Sequence, residues 1–304
     1  MTVTTERPEI DEDAAAPTAA PEPAPTPAAR PKIAPPEALR HVAVALGLIA
    51  LLLLGFLVYL YGFSKLSESR VQNTMYKTFK RQLDQAVAPV GPTGLGKPVA
   101  VLDIPAINVR HVIVVEGTDS RQLTKGPGHR RDTVLPGQAG VSVIYGRRAT
   151  FGAPFAHLMR LNIGDTLTVT TGQGVATYVV SSFGDGDHPA PANSDNRLVL
   201  TTADSSAVAH STVSVSADLH TPVQPSPGGL PAIANAEKGM KANVDGSLVP
   251  LMLWAQVLLL ASVLGTVGAH RWNRWAAYLC FVPVAIAATW SVYENAAALL
   301  PNLY

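Results

Sequence analysis

The sequence predicts a mainly β fold, a closed barrel of about seven to eight strands with short helices, attached to three transmembrane helices. Two observations support this prediction. Short runs rich in branched residues alternate with glycine and proline through the middle of the chain, as is typical of barrel strands. Three uncharged apolar runs lie outside this region, and each is long enough to cross about 30 Å of hydrocarbon at about 1.5 Å per residue.

The chain is expected to divide into seven consecutive segments. They are a disordered cytoplasmic tail (residues 1–40), a transmembrane helix (41–63), a helical stalk (64–90), the β-barrel domain (91–220), a linker (221–247) and two further transmembrane helices (248–269 and 275–300). The tail carries eight prolines between Pro17 and Pro36. With so few large apolar side chains, it cannot form a core.

The three apolar runs are Val42–Tyr61, Leu248–Ala269 and Trp275–Val292, of 20, 22 and 18 residues. The first is too long for the apolar part of a signal peptide, and it lies behind a long leader. The third contains Pro283 and ends near Glu294, so a re-entrant or interfacial helix is the alternative there.

The orientation follows from the short loop between the last two runs. Residues 270–274 are basic and aromatic, as expected of a cytoplasmic turn, whereas the long segment 64–247 would be translocated largely regardless of its charge. This predicts a cytoplasmic amino terminus and an extracytoplasmic barrel in a multi-pass protein of the cell membrane.

Between the first apolar run and the barrel, one face of a helix is indicated. Val71, Met75, Phe79 and Leu83 recur every four residues, which predicts a helix that packs on the barrel or forms a stalk. Its basic residues are interpreted as a solvated face near lipid headgroups, because a net charge of +1 does not favour a nucleic-acid partner.

Seven runs have the composition and alternation of strands. They are Val99–Ile104, Asn108–Glu116, Gly140–Tyr145, Asp165–Thr171, Val175–Phe183, Arg197–Thr202 and Thr212–Leu219. Gly172–Gly174 is expected to form a tight hairpin turn, and Ala153–Leu161 one short helix.

Several motifs of this region resemble the sortase family, with its class D, E and F members from actinobacteria. Val199–Ala203 (VLTTA) is similar to the strand end Thr-Leu-x-Thr-Cys, whose cysteine attacks the sorting-signal peptide bond. Val141–Arg148 (VSVIYGRR) is similar to the strand that normally ends in Gly-His-Arg. Gly126–His129 (GPGH) and Thr150–Phe155 (TFGAPF) follow the family pattern in register.

The departures from this pattern fall on the chemistry. The resemblance places Arg147 at the general acid/base histidine, Ala203 at the cysteine and Thr212 near the transition-state arginine. A methyl group cannot act as a nucleophile, and a guanidinium does not release its proton at neutral pH. The only cysteine, Cys280, lies in the last apolar run. The resemblance therefore implies a sortase fold that has lost its catalytic set, and no cofactor or metal site is expected.

Other polar residues are candidates for lining or binding in the former cleft. They are His129, Arg147, Arg148, Thr202, Ala203, Ser205 and His210. Strand alternation predicts that only one of the two adjacent arginines enters the cleft, where it could bind a carboxylate or a polar peptide. The acidic loop Gly184–His188 is interpreted as a solvated turn, since it lacks a spaced set of cation ligands.

The leading functional hypothesis is a noncatalytic, membrane-anchored pseudo-sortase of a Gram-positive cell surface. It would bind an extended peptide or a surface protein, assist an active sortase, or scaffold a membrane assembly. One alternative is a cysteine-independent hydrolase or transpeptidase on the same barrel, with Thr202, Ser205 or Ser206 as nucleophile and His129, His188 or His210 as base. Another makes the barrel the extracellular cap of a membrane subunit.

Overall fold

The computed structural model describes residues 1–2, 37–186, 188, 190–191, 193–205, 209–233, 237, 239–242, 244–271 and 274–304. The proposed disordered tail thus lies almost wholly outside the described residues, as does Ser206. The chain divides into two units, Met1–Leu48 and Ile49–Tyr304. In the first, the described residues beyond 1–2 belong to the start of helix α1 (Glu37–Val58), whose side chains from 39 to 48 are exposed.

The second unit contains a closed eight-stranded barrel, which confirms the predicted fold class. The strands are β1 (Pro98–Ile104), β2 (Val109–Glu116), β3 (Gly128–His129), β4 (Val141–Tyr145), β5 (Thr166–Thr171), β6 (Gly174–Asp185), β7 (Arg197–Ala203) and β8 (Thr212–Leu219). Their order around the barrel is β1-β2-β3-β4-β7-β8-β6-β5. The pairs β2–β3 and β4–β7 are parallel, and all other neighbours are antiparallel.

Strand β6 shows why the alternating pattern closes a barrel. Ala176, Tyr178 and Val180 are buried in the core, whereas the side chain of Val175, near the start of the strand, is 58% exposed. The register Thr171↔Gly174 leaves a two-residue hairpin loop between β5 and β6. Gly174 has φ +124, which a side chain would strain, and this agrees with the predicted tight turn.

Two local predictions about the barrel need correction. Strand β3 consists of only two residues, too short for a periodic pattern, and the sequence did not indicate it. The short helix expected over Ala153–Leu161 is wrong: only a 3₁₀ turn at Leu158–Arg160 forms. Ala153 has a left-handed φ of +45 and precedes Pro154, so an α-helix cannot run through this stretch.

Helix α2 (Ser64–Asp84) continues from α1 through a π-helical turn at Tyr59–Phe63. Phe79 is fully buried in a cluster with Val101, Ile113 and Val115, residues of β1 and β2. Gln72 adds polar contacts: its Nε2 donates to Ile113 O (3.0 Å) and Lys125 O (2.6 Å), and its Oε1 accepts from Ile113 N (2.8 Å). The helix is therefore packed on the barrel and does not stand away from it. A short helix α3 (Ser120–Leu123) follows β2.

Among the described residues, three helices are long and apolar enough to cross a membrane, over Leu39–Asp84, Gly246–Arg271 and Arg274–Ala297. The last two belong to α4 (Val244–Arg271) and α5 (Arg274–Ala297), and α5 continues through Pro283. Gly265 of α4 faces Phe281 of α5. A Cβ added at Gly265 would lie only 3.2 Å from the Cβ of Phe281. Small residues thus let these two helices pack closely, and α5 leads the chain back to the barrel.

Candidate functional site

The three positions that the resemblance singles out converge at one end of the barrel. Ala203 is the last residue of β7 and is fully buried. Thr212, the first residue of β8, lies directly opposite it in the register. Because β4 and β7 are parallel and Tyr145 pairs with Thr201, the chain leaves β4 beside the same point, and Arg147 follows two residues later.

Arg147 is fully buried, and its guanidinium donates to four oxygens. Nη1 reaches Thr150 Oγ1 at 3.1 Å and Tyr304 O at 3.2 Å, and Nη2 reaches Ser120 O at 3.1 Å and Ser120 Oγ at 3.0 Å. The guanidinium also stacks over the Phe151 ring, 5.0 Å from its centroid.

The electrostatics of this arginine are those of a structural cation. Burial lowers the pKa of Arg147 to about 10, so the side chain stays protonated at neutral pH. In the part of the chain that the structure describes, no Asp or Glu forms an ion pair with it. Its guanidinium donates to hydroxyl and main-chain oxygens, which suits anchoring better than proton transfer.

Arg148 also contacts the site, contrary to the expectation that only one arginine would do so. Its Nη1 donates to Ala203 O at 3.2 Å, and its main-chain N donates to Leu303 O at 3.0 Å. Strand β4 ends at Tyr145, so both arginines lie beyond it, where strand alternation no longer applies.

The space beside Ala203 is filled by a segment that follows α5. Leu303 is fully buried and shares an apolar cluster with Ala203, Leu123 and Tyr145. Asn302 is equally buried, and its Nδ2 donates to Thr118 O at 3.0 Å. The sequence did not indicate this contact, because a Pro-Asn-Leu-Tyr run after an apolar helix is typical of any helix end.

Thr202 and His129 have hydrogen-bond partners that leave neither ready for nucleophilic chemistry. The buried Thr202 hydroxyl donates to Gly146 O at 2.8 Å. His129 is 2% exposed; its Nδ1 lies 3.4 Å from Glu116 Oε1, and its Nε2 lies 2.9 Å from Val134 O. These contacts order the loop after β3, as the Gly-Pro-Gly-His motif suggested.

Ser205 and His210 lie between β7 and β8 in the chain. Asp204 accepts from His210 N at 3.1 Å and from Ser211 Oγ at 3.3 Å. Burial would raise the pKa of Asp204, but main-chain donors from His210, Ser211 and Ser205 outweigh it and lower that pKa. The exposed His188 contacts Asp185, with 3.2 Å between Nδ1 and Oδ1. Among the described residues, no group of three or more His, Cys, Asp or Glu could hold a metal ion.

The comparisons with known proteins agree on the family of the barrel. Residues 102–219 match the family model described as a sortase domain. A curated relative, Sortase D of Bacillus subtilis (strain 168), is 36% identical over 85 residues, which are 28% of this chain and 41% of the relative. The chain thus spans about two fifths of the length of this relative.

Solved structures of sortases are also similar. A Clostridium perfringens Sortase D5 transpeptidase is 21% identical, with 50% of this chain and 99% of that chain covered and a TM-score of 0.43. Sortase E from Streptomyces avermitilis is 31% identical, with 48% and 100% covered and a TM-score of 0.37. From the family match over residues 102–219, the chain carries a domain of the sortase family.

Proposed function

We propose that this protein is a membrane-anchored, catalytically inactive member of the sortase family, with its barrel outside the cytoplasm. The observation that carries this proposal is Ala203 at the end of β7, buried where the family motif has its cysteine. Sortase chemistry requires a sulfur that forms an acyl-enzyme, and a methyl group has no lone pair with which to attack. We expect that Cys280 does not supply the missing sulfur, because Cys280 lies in α5 and not at the end of β7.

Arg147 supports the same conclusion. A general acid/base must gain and lose a proton near neutral pH, whereas this guanidinium, with a pKa of about 10, stays protonated there and makes four hydrogen bonds. Thr212, opposite Ala203, offers no cation to stabilise an oxyanion. We therefore expect all three chemical roles of the family's site to be missing together.

The occupied site favours scaffolding over the capture of a free peptide at this end of the barrel. Leu303 fills the space beside Ala203, so a segment of the same chain occupies the family's site. We propose that the membrane-anchored barrel domain is a scaffold on which other surface proteins, an active sortase among them, assemble.

The test is a turnover assay with the full-length protein in detergent. The protein is incubated with a fluorescent sorting-signal peptide and an amine acceptor, and an active sortase serves as the positive control. We expect no cleavage, no transfer and no covalent adduct by mass spectrometry. Turnover above that of heat-denatured protein, abolished by Ser205→Ala or Ser206→Ala, would instead establish the cysteine-independent hydrolase.

Restoration of the site tests which replacements are disabling. Ala203→Cys, Arg147→His and Thr212→Arg are expected to be needed together, because groups that act as one unit show little recovery one at a time. An efficient acyl-enzyme from Ala203→Cys alone would show that Arg147 does not disable the site.

A further inference from the structure

The strongest unexplained feature of the molecule is the way the barrel binds residues 301–304. These residues form a turn, closed by Tyr304 N donating to Pro301 O at 3.1 Å. We propose that the former active site now serves as a binding site for this turn, and that it fixes the end of α5 to the barrel. The inference rests on the proposed function, since an active site must stay open to its substrate.

The last three residues of the turn are bound by two segments of the barrel domain. Thr118 O, beyond β2, accepts from Asn302 Nδ2 at 3.0 Å. Arg148 N, beyond β4, donates to Leu303 O at 3.0 Å. Two separate segments of the barrel domain, one after β2 and one after β4, thus contact three consecutive residues of the turn.

The third residue is held by the arginine that replaces the histidine. Tyr304 O accepts from Arg147 Nη1 at 3.2 Å and from Thr150 Oγ1 at 2.7 Å. The Tyr304 hydroxyl lies 2.6 Å from the hydroxyl of Tyr61. A main-chain oxygen is a good acceptor for a buried guanidinium, so Arg147 has a binding role in place of the catalytic one.

The apolar part of the contact explains why alanine suits position 203. Leu303 and Ala203 are both fully buried in one cluster with Leu123 and Tyr145. A thiolate at position 203 would be charged inside this apolar cluster, which disfavours ionisation. An alanine at position 203 is therefore compatible with the docking of Leu303, whereas an ionised cysteine there is not.

Thiol labelling in detergent tests the docking directly, in a Cys280→Ala background. Leu303→Cys reports on the turn, and Ile163→Cys, at a position 71% exposed, reports the rate for an open site. We expect a neutral maleimide to label Leu303→Cys at least about 100-fold more slowly than Ile163→Cys, since labelling requires local opening. Equal rates would overturn the proposal.

The receptor side is tested by removing the guanidinium. Arg147→Ala is expected to speed labelling of Leu303→Cys by about 10-fold or more, as expected when local opening becomes more frequent. Arg160→Ala, which removes an exposed arginine of the same barrel, should leave the rate unchanged. An unchanged rate in Arg147→Ala contradicts the binding role of Arg147.

A second reporter separates undocking from unfolding. Leu200→Cys, in the core of β7, should stay protected when Arg147 is replaced. If it becomes reactive, Thr150→Val takes the place of Arg147→Ala, with the same result expected. This variant keeps the guanidinium and removes one donor to Tyr304 O and one acceptor of Arg147 Nη1. Turnover of a sorting-signal peptide while Leu303→Cys stays protected would contradict the proposed function and leave the docking intact. A reactive Leu303→Cys without turnover would contradict the docking alone.

Discussion

Restoring the cysteine alone should not restore a reactive thiol. In a Cys280→Ala background, Ala203→Cys places a sulfur at a position with no exposed surface, in a cluster with Leu303. We expect this thiol to react with a small disulfide reagent only when the turn at residues 301–304 leaves the site. This is the opposite of an active sortase, whose cysteine must be accessible to its substrate.

The size of the effect follows from the burial of Leu303. Truncating a fully buried leucine to alanine costs about 2–5 kcal/mol, and Leu303 is 0% exposed. At about 1.4 kcal/mol for each factor of ten, Leu303→Ala should shift the docking equilibrium about 30-fold to about 4,000-fold towards the open site. Where opening and closing are faster than labelling, the rate at position 203 rises by the same factor.

The assay follows the release of the chromophoric thiol from the detergent-solubilised protein over time. Leu230→Ala, at a linker position 45% exposed, is the matched control and should leave the rate within about a factor of two. A fast reaction of Ala203→Cys with Leu303 intact would refute the closed site. A slow reaction that Leu303→Ala does not accelerate would show that another part of the chain covers position 203.

Three further predictions concern the packing of α2 and the membrane topology. Gln72→Met removes three hydrogen bonds to the barrel. Because each contributes about 1 kcal/mol, the melting temperature should fall by about 6–12 °C. The control Asn73→Met, at an exposed position, should change the melting temperature little. Phe79→Ala, which empties a fully buried position, should cost about 3–5 kcal/mol by denaturant unfolding; an effect below about 1 kcal/mol would mean that α2 is not packed on β1 and β2. In intact cells with a Cys280→Ala background, Ile163→Cys should react with a membrane-impermeant maleimide and Asn273→Cys should not; the reverse pattern would place the barrel in the cytoplasm.

The local pattern of the sequence was sufficient for seven of the eight barrel strands and for the apolar helices. The alternation in β6 and the turn at Gly172–Gly174 repeat over short distances, and a period of two reports directly on which side chains face a core. The helical stripe through Phe79 predicted the face of α2 that packs on the barrel. Motif similarity placed Arg147, Ala203 and Thr212, and strand pairing then accounts for their meeting at one end.

Local pattern could not predict contacts between residues that are distant in the chain. Arg147 and Tyr304 are 157 residues apart, and Gln72 and Ile113 are 41 apart. Such pairs depend on where the barrel closes and where α5 returns, and a periodic signal carries no information about either. Strand β3 has only two residues, and it is defined by its pairing with β2 and β4.

The sequence by itself thus determined which residue types stand at the positions matched to the family's motifs, because a residue type fixes its chemistry wherever it lies. Only the tertiary structure decided what those residues do instead. Arg147 is buried, and a buried cation must find oxygen acceptors within hydrogen-bond reach. The barrel and the return of α5 bring Ser120, Thr150 and Tyr304 to it, and these contacts are the reason for proposing that Arg147 acts as an anchor.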